Sequence, residues 1–528
     1  MLARLLRTSF LLLLSISALD LCADSSRCAG PDRVADGAAI VGQPAELVIE
    51  PATIELVGPR AMQQIVVTGK YADGSVRDLT WFCDVATTAP AIARIDLKER
   101  LLLPVKDGST QLVVKAGGKQ AQIPVTVKKT AEPQPVSFRQ EVIGAMNVGS
   151  CNSGACHGTP TGKNGFKLSL RGFEPEADYL QLTRDVLGRR VNRHDPDASM
   201  LLLKGTGKIP HEGGQRFAFD SLAASTLRGW IREGLHDDPA SLPSLTRIEV
   251  APGRRLLRSP AQFQQLAVQA HFSDNSHRDV TRLTVFSSSD ESVASVDASG
   301  LVTFKMTGEV AVLCRYLDQL QAVRLVYLEP KPDFKWPNPP AHNYVDTHVF
   351  AKLKLLSIPP SELCSDHEFI RRAYLDLCAV LPSADEVKAF LDDKSPDKRA
   401  KLIDKLLERP EFADFWTMKW MDVLRSTRRG LQEQGAQAYQ KWLREQLVKN
   451  TPIDKLVEEL LTAAGNSYEV GPANYYRVAR EPNELAETTA QLFLGIRMQC
   501  ARCHNHPFER WTQDEYYSLS AFYAKDDV

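Results

Sequence analysis

The segments beginning at Gln64 and Gln265 match each other at a constant offset of 201 residues, which limits much of the N-terminal half to two copies of one small fold. Tyr71, Asp73, Ser75, Arg77, Asp78 and Thr80 correspond to Phe272, Asp274, Ser276, Arg278, Asp279 and Thr281. Farther on, Ile92, Ala93, Ile95 and Asp96 correspond to Val293, Ala294, Val296 and Asp297, still without a gap. Both copies alternate apolar and polar residues over short runs such as 64–68, 112–115 and 123–127, separated by Asp-Gly, Asp-Asn or Gly-Gly turns. A period of two turns one face of each run to a core and the other to water, so each copy is expected to be a β-sandwich. His271 and His277 fall in the second copy, where strand spacing predicts exposed residues and not ligands.

The remaining sequence exceeds what these modules can absorb. A chain of 528 residues is too long for one hydrophobic core and predicts several domains. With 64 Lys and Arg against 65 Asp and Glu, the net charge of −1 gives no electrostatic case for nucleic acid or an anionic membrane as partner. Arg4 and Arg7 precede an apolar run over 9–18 and then small and polar residues over 23–26, the pattern of a secretory signal peptide, placed at 1–23. That run is too short to span a bilayer and no later one reaches about 18 apolar residues, so no transmembrane segment is expected after cleavage. An extracytoplasmic location, periplasm or cell surface, follows. Ten cysteines in such a compartment are expected to be paired or to hold a cofactor.

Between the repeats, a Pro-containing linker over 128–135 leads into a helical pattern at 138–148 and then Cys151-Asn152-Ser153-Gly154-Ala155-Cys156-His157. This Cys-x4-Cys-His widens the Cys-x-x-Cys-His pattern that attaches haem, in which two thiols add to the vinyl groups and the adjacent imidazole reaches the iron. An opposite axial ligand must follow. In the glycine-rich stretch 204–214 Ile209 stands where a Met would be expected, and His211 lies two residues on, so His157 and His211 are the expected pair, with Met200 as competitor. A helix with apolar spacing at Leu222, Leu227, Trp230 and Ile231 is expected over 221–233, ending at Gly234. The alternative for Cys151 and Cys156 is a disulfide across a short loop.

After the prolines at 330–340, helical periodicity replaces strand alternation. Capping boxes are expected at Ser365 with Glu368 and at Ser383 with Glu386, and Thr451-Pro452 reads as the start of another helix. Phe369, Ala373 and Leu377, and Leu402, Leu406 and Leu407, form the expected buried stripes, with Trp416, Trp420 and Trp442 in the core. A last helix over 483–498 delivers Cys500-Ala501-Arg502-Cys503-His504-Asn505-His506, a Cys-x-x-Cys-His of unwidened spacing. Three readings stay open for Cys500, Cys503 and His504: a second haem, a zinc site that could also use His506, or a redox disulfide. Cys364 and Cys378 pair or are buried singly, whereas Cys83 and Cys314 stand at unrelated repeat positions. No Ser/His/Asp order, phosphate loop or His-Glu-x-x-His motif is present, so no catalytic residue is assigned and a haem-linked oxidoreductase component is the enzyme class left open.

These motifs carry resemblances. Residues 44–128 and 245–329, through Asp-Gly-Ser-x-Arg-Asp-x-Thr, resemble bacterial immunoglobulin-like domains of group 2, modules that space, present or adhere. Residues 137–239, through Cys151 to Gly234, resemble the planctomycete cytochrome c-like domain. Residues 343–528, through Arg371-Arg372-Ala373-Tyr374-Leu375-Asp376-Leu377, Ser395-Pro396-Asp397-Lys398-Arg399 and the stretch around Cys500, resemble the helical domain that accompanies it in exported proteins of that group. The resemblance implies two all-β sandwiches flanking a small helical cytochrome-like domain, then a mainly helical domain that usually continues into another. It implies two haem c groups, electron transfer and a redox partner protein. The x4 spacing and the missing Met depart from the pattern. The contrasting reading is an adhesive or glycan-binding scaffold, with cell-surface polysaccharide as partner and structural disulfide or zinc sites at the Cys/His motifs.

Overall fold

The computed structural model describes residues 37–506 and 509–524, so the expected signal peptide lies outside the described residues. The chain divides into two compact units, one running to residue 317 with 321–327 and the other comprising 318–320 with the residues from 328 onward. The N-terminal half contains β-sandwich-like sheets and the C-terminal region is helical.

In the first repeat, Glu46–Glu50, Val66–Lys70 and Val76–Asp78 form a three-stranded sheet, and Ile54–Val57, Lys119–Lys128, Gly108–Ala116 and Asp84–Thr87 form a four-stranded one. The second repeat has the same order: Leu245–Ala251, Ala267–Phe272 and His277–Asp279, then Arg255–Arg258, Gln319–Leu328, Gly308–Tyr316 and Val285–Ser288. The alternation acts as the sequence predicts. Along Gly108–Ala116, Thr110, Leu112, Val114 and Ala116 are buried while the residues between them are not.

The repeated motif makes one turn twice. Asp73 Oδ1 accepts from the Ser75 amide and Asp274 Oδ1 from that of Ser276, both at 2.9 Å. Gly74 in one copy and Asn275 in the other hold the left-handed position between them, with φ of 77° and 64°. Thr80 Oγ1 accepts from Val67 N and Thr281 Oγ1 from Val268 N, at 2.9 and 2.8 Å, tying the turn to the neighbouring strand. His277 is exposed as expected, but His271 is half-buried and faces it across the strand pair, with ring centroids 5.9 Å apart.

The two copies do not stand apart as spacers, because each reaches into the other with the same residues. Gln63 Nε2 and Gln64 N donate to Asp279 Oδ2 at 2.9 and 2.8 Å. Reciprocally, Gln264 Nε2 donates to Asp78 Oδ2 at 2.8 Å and Gln265 N donates to the same oxygen. Trp81 Nε1 donates to Gln265 Oε1 and Arg282 Nη2 to Gln64 Oε1, each at 3.1 Å, again at corresponding positions. Asp78, Gln64, Gln264 and Gln265 are buried. A carboxylate withdrawn from water is tolerated only with such donors, so the contact is specific as well as close.

Between the repeats, the expected helix over 138–148 is a π-helical turn, Phe138–Val142, continued by Ile143–Val148, with Ser137 Oγ accepting from Gln140 N at 3.1 Å. The helices Pro175–Thr183, Met200–Gly205 and Leu222–Arg232 follow, the last capped by Ser221, whose Oγ accepts from Ala224 N. Their apolar faces share one core with the second sandwich, joining Phe138, Leu182, Leu202 and Trp230 to Val250 and Val268. Gly172 has φ 76°, and a Cβ there would lie 2.3 Å from Cγ2 of buried Ile143. Gly172→Ala is therefore expected to destabilise this unit by about 1–3 kcal/mol. Urea denaturation checks it, and an unchanged midpoint would refute the close approach.

In the C-terminal unit both predicted capping boxes form, at Ser365 with Glu368 and Ser383 with Glu386. Ile370, Tyr374 and Cys378 are the fully buried residues of helix Asp366–Cys378, with Phe369, Ala373 and Leu377 packed beside them. Leu402 and Leu406 are buried but Leu407 is exposed, because the stripe of helix Lys398–Leu407 rotates it off the core. Thr451 is not the cap of the next helix: Pro452 holds that place before Ile453–Leu461, and the Thr451 hydroxyl donates to Gln446 Oε1. Trp420 and Trp442 pack partly buried against the core around Tyr439 and Leu443. The helix expected over 483–498 stops early. Pro482–Thr489 passes into a π-turn, Ala490–Leu494, and Gly495 in the left-handed conformation ends it.

Candidate functional site: a pocket framed by Cys151, His157 and His211

The helix Ile143–Val148 closes at Gly149, and Ser150 turns the chain with φ 55°. The following loop folds on itself: Cys151 N donates to Met146 O, and His157 N returns to Cys151 O, both at 2.9 Å. Gly158 is required here, since a Cβ on it would lie 2.2 Å from Asn152 O. The loop thus sets Cys151, Cys156 and His157 along one wall of a cavity of about 620 Å3.

His211 stands opposite. Its ring centroid is 6.3 Å from that of His157, and the two ring planes differ by 9°. His157 Nδ1 is 3.1 Å from Phe166 O and His211 Nδ1 is 2.8 Å from Gly214 O. A carbonyl only accepts, so each imidazole carries a proton on Nδ1 and turns Nε2 away from that contact. Arg216 holds the two walls together, donating from Nε to Gly149 O at 2.8 Å and from Nη1 to Gly213 O at 2.9 Å. Arg190 lies over the Phe166 ring at 4.4 Å and donates to Gln181 O and Gly165 O, fixing the side of the pocket. Met200 also lines it.

Burial, above all, holds the His157 pKa below its ordinary value, which keeps the ring neutral. Cys151 is partly accessible at the wall, yet desolvation of its sulfur pushes the thiol up to about 12. Such a thiol is mostly protonated, which lowers its reactivity. The cavity can hold a ligand between the His157 and His211 imidazoles.

Sequence reasoning placed Cys151, Cys156, His157, His211 and Met200, and the structure brings all five to one cavity. It missed Phe166, Arg190 and Arg216, which carry no spacing signal because they act through backbone carbonyls brought close by folding. The alternative of a disulfide is not realised at any of the three pairs: Cys151 and Cys156, Cys500 and Cys503, and Cys364 and Cys378 are free thiols.

The second motif is built differently. Cys500 lies in the 3-10 turn Met498–Arg502, half-buried, and Cys503 follows it exposed. His504 Nδ1 is taken by Asn505 O at 2.6 Å and His506 Nε2 by Arg497 O at 3.2 Å. Among the described residues no three His, Cys, Asp or Glu are grouped to hold a metal ion. Short contacts to neighbouring carbonyls turn these imidazoles away from the tetrahedral set that the spacing suggested.

A family model described as PSCyt2, a protein of unknown function (DUF1549), matches residues 344–527. The comparison with curated proteins finds no match. Among solved structures, domains 5–6 of the S-layer protein SbsC are similar at 12% identity, covering 54% of this chain and 98% of that one, with a TM-score of 0.22. Domains 4–9 of the surface layer protein SbsC are similar at 10% identity, covering 54% of this chain and 31% of that one, also with a TM-score of 0.22. Scores this low define no shared fold.

These findings correct the expectation of an electron-transferring, haem- and metal-binding cytochrome. The matching family is described as of unknown function, and no three metal-ligating side chains are grouped among the described residues. The physical reason for the misreading is that a Cys/His spacing specifies only a tight turn, and two quite different turns carry it here. Among the described residues, no helix is long and apolar enough to cross a membrane.

Proposed function

We propose that the chain is an exported, cell-surface scaffold that engages envelope polysaccharide and whose modules interlock. The carrying observation is the reciprocal contact of Asp78 and Asp279 with the paired glutamines of the opposite repeat, which turns two sandwiches into one stiff body. A stiff body presents its surfaces at fixed separation, as a scaffold requires, and the signal-peptide pattern supplies the route to the surface. The test is labelling of intact cells with a membrane-impermeant amine reagent, followed by sedimentation of the protein with isolated envelopes. Labelled, envelope-bound protein is the expected result. Protein that stays unlabelled until lysis overturns the proposal.

The cofactor expectations are separate proposals about what the Cys/His sites hold, not about redox activity. At the first pocket, Cys151 and Cys156 would supply the thiols and His157 and His211 the nitrogen donors that would hold such a group. At the second motif, haem or zinc on Cys500, Cys503 and His504 would require the two imidazoles to leave their carbonyl partners.

A further inference from the structure

We propose that the cavity where the two β modules meet the helical insert binds an acidic saccharide, a glycan segment carrying hexuronate carboxylates. The cavity measures about 780 Å3, and all three elements contribute walls. Arg94 enters from strand Ala93–Asp96 of the first module, Arg232 from the last position of helix Leu222–Arg232, and Arg278 and Arg282 from the second module.

The charge at these walls is unevenly compensated. Glu141 and Glu233 are both engaged by Arg60, at 3.1 and 3.7 Å, and Glu55 by Lys128 at 2.6 Å. Asp279 is occupied by the amide donors of Gln63 and Gln64. The acids of the cavity are thus spoken for, whereas the side chains of Arg94 and Arg232 are exposed and make no hydrogen bond or ion pair with the described residues. Arg282, its side chain 9% exposed, is ion-paired through Nη2 with Glu99 at 3.4 Å, and Arg278 Nη2 donates to Gln140 Oε1 at 2.7 Å, so these two line the cavity with their guanidinium groups already partnered. The two exposed guanidinium forks of Arg94 and Arg232 are matched in geometry to carboxylates.

The rest of the lining selects a sugar over a bare anion. Pro59, Met62, Leu103 and Leu222 give apolar surface, and Gln134 gives an amide, a mixture suited to the CH faces and hydroxyl edges of pyranose rings. A compact phosphate would leave the apolar wall unused. The inference rests on the surface-scaffold reading for the presence of such a glycan, and names what that scaffold grips.

Calorimetric titration of the full chain with trigalacturonate, maltotriose and pyrophosphate tests it, with Arg94→Gln/Arg232→Gln as the variant. Both arginines are exposed, so the variant should melt like the parent. Expected is binding of trigalacturonate alone, weakened about ten-fold or more in the variant. No binding by the parent chain, equal binding by the variant, or pyrophosphate binding as tight as the uronide would each overturn the inference. Surface labelling together with absent uronide binding sinks this inference alone, whereas unlabelled protein sinks the scaffold reading and leaves the titration to judge the cavity.

Discussion

Trp230→Ala is expected to lower the stability of the N-terminal unit by about 3–5 kcal/mol. The indole is fully buried, with the Phe138 ring centroid at 5.1 Å and that of Tyr179 at 6.4 Å. Its Nε1 donates to His236 O at 2.9 Å, so truncation opens a large cavity and also strips a carbonyl of its donor. Trp230→Phe refills most of the space and loses only the donor, which predicts about 1–2 kcal/mol. The pair of values separates packing from hydrogen bonding. Because Phe138 opens the helical segment that ends in the Cys151 loop, the larger loss should also loosen the pocket. Urea denaturation followed by circular dichroism reads both variants, and a loss below about 1 kcal/mol for the alanine would show that Trp230 does not anchor this core.

The second large effect is a dependence of stability on pH. Desolvation pushes Asp78 up to about 6 against the opposing hydrogen bonds from Thr80 and Gln265 and the charge of Arg255. Asp279 is pushed to about the same value, opposed by Thr281, Gln64 and Arg282. A folded pKa above the unfolded one means that the folded chain holds the extra proton, so the contribution is full below about pH 4 and is lost as pH rises through 6. Each group contributes on the order of 2–3 kcal/mol over that window. The unfolding free energy of the parent minus that of Asp78→Asn should therefore fall by about that amount between pH 4 and pH 7.5. A flat difference would mean that Asp78 keeps one charge state throughout, and the contact would not respond to acidity.

Much of the local architecture could be read from the residues that build it. Ser221 before Leu222, and Ser365 and Ser383 three residues ahead of their glutamates, declare helix starts because the capping partners are near in sequence. The matched Asp-x-Ser turns were visible for the same reason. Asp78 and Asp279 were visible as repeated letters, but their role was not, since Asp78 meets Gln264 and Gln265, 186 and 187 residues away. No local pattern encodes a partner at that distance. The early end of the helix before Cys500 was missed because 490–498 keeps an apolar rhythm, which Gly495 overrides by adopting φ 69°. At the pocket, residue types and spacing pointed to Cys151, Cys156, His157 and His211, whereas the carbonyls that fix each imidazole came only with the folded loops.

The glutamine pair and the aspartate sit on the same surface of each repeat, so every copy carries both a donor and its acceptor. Two such surfaces related by a local twofold consume each other completely, an isologous contact that closes at two. The same surface has nothing left to offer a third module or a second chain. The paired repeats therefore behave as a single building block whose mutual contact is already closed.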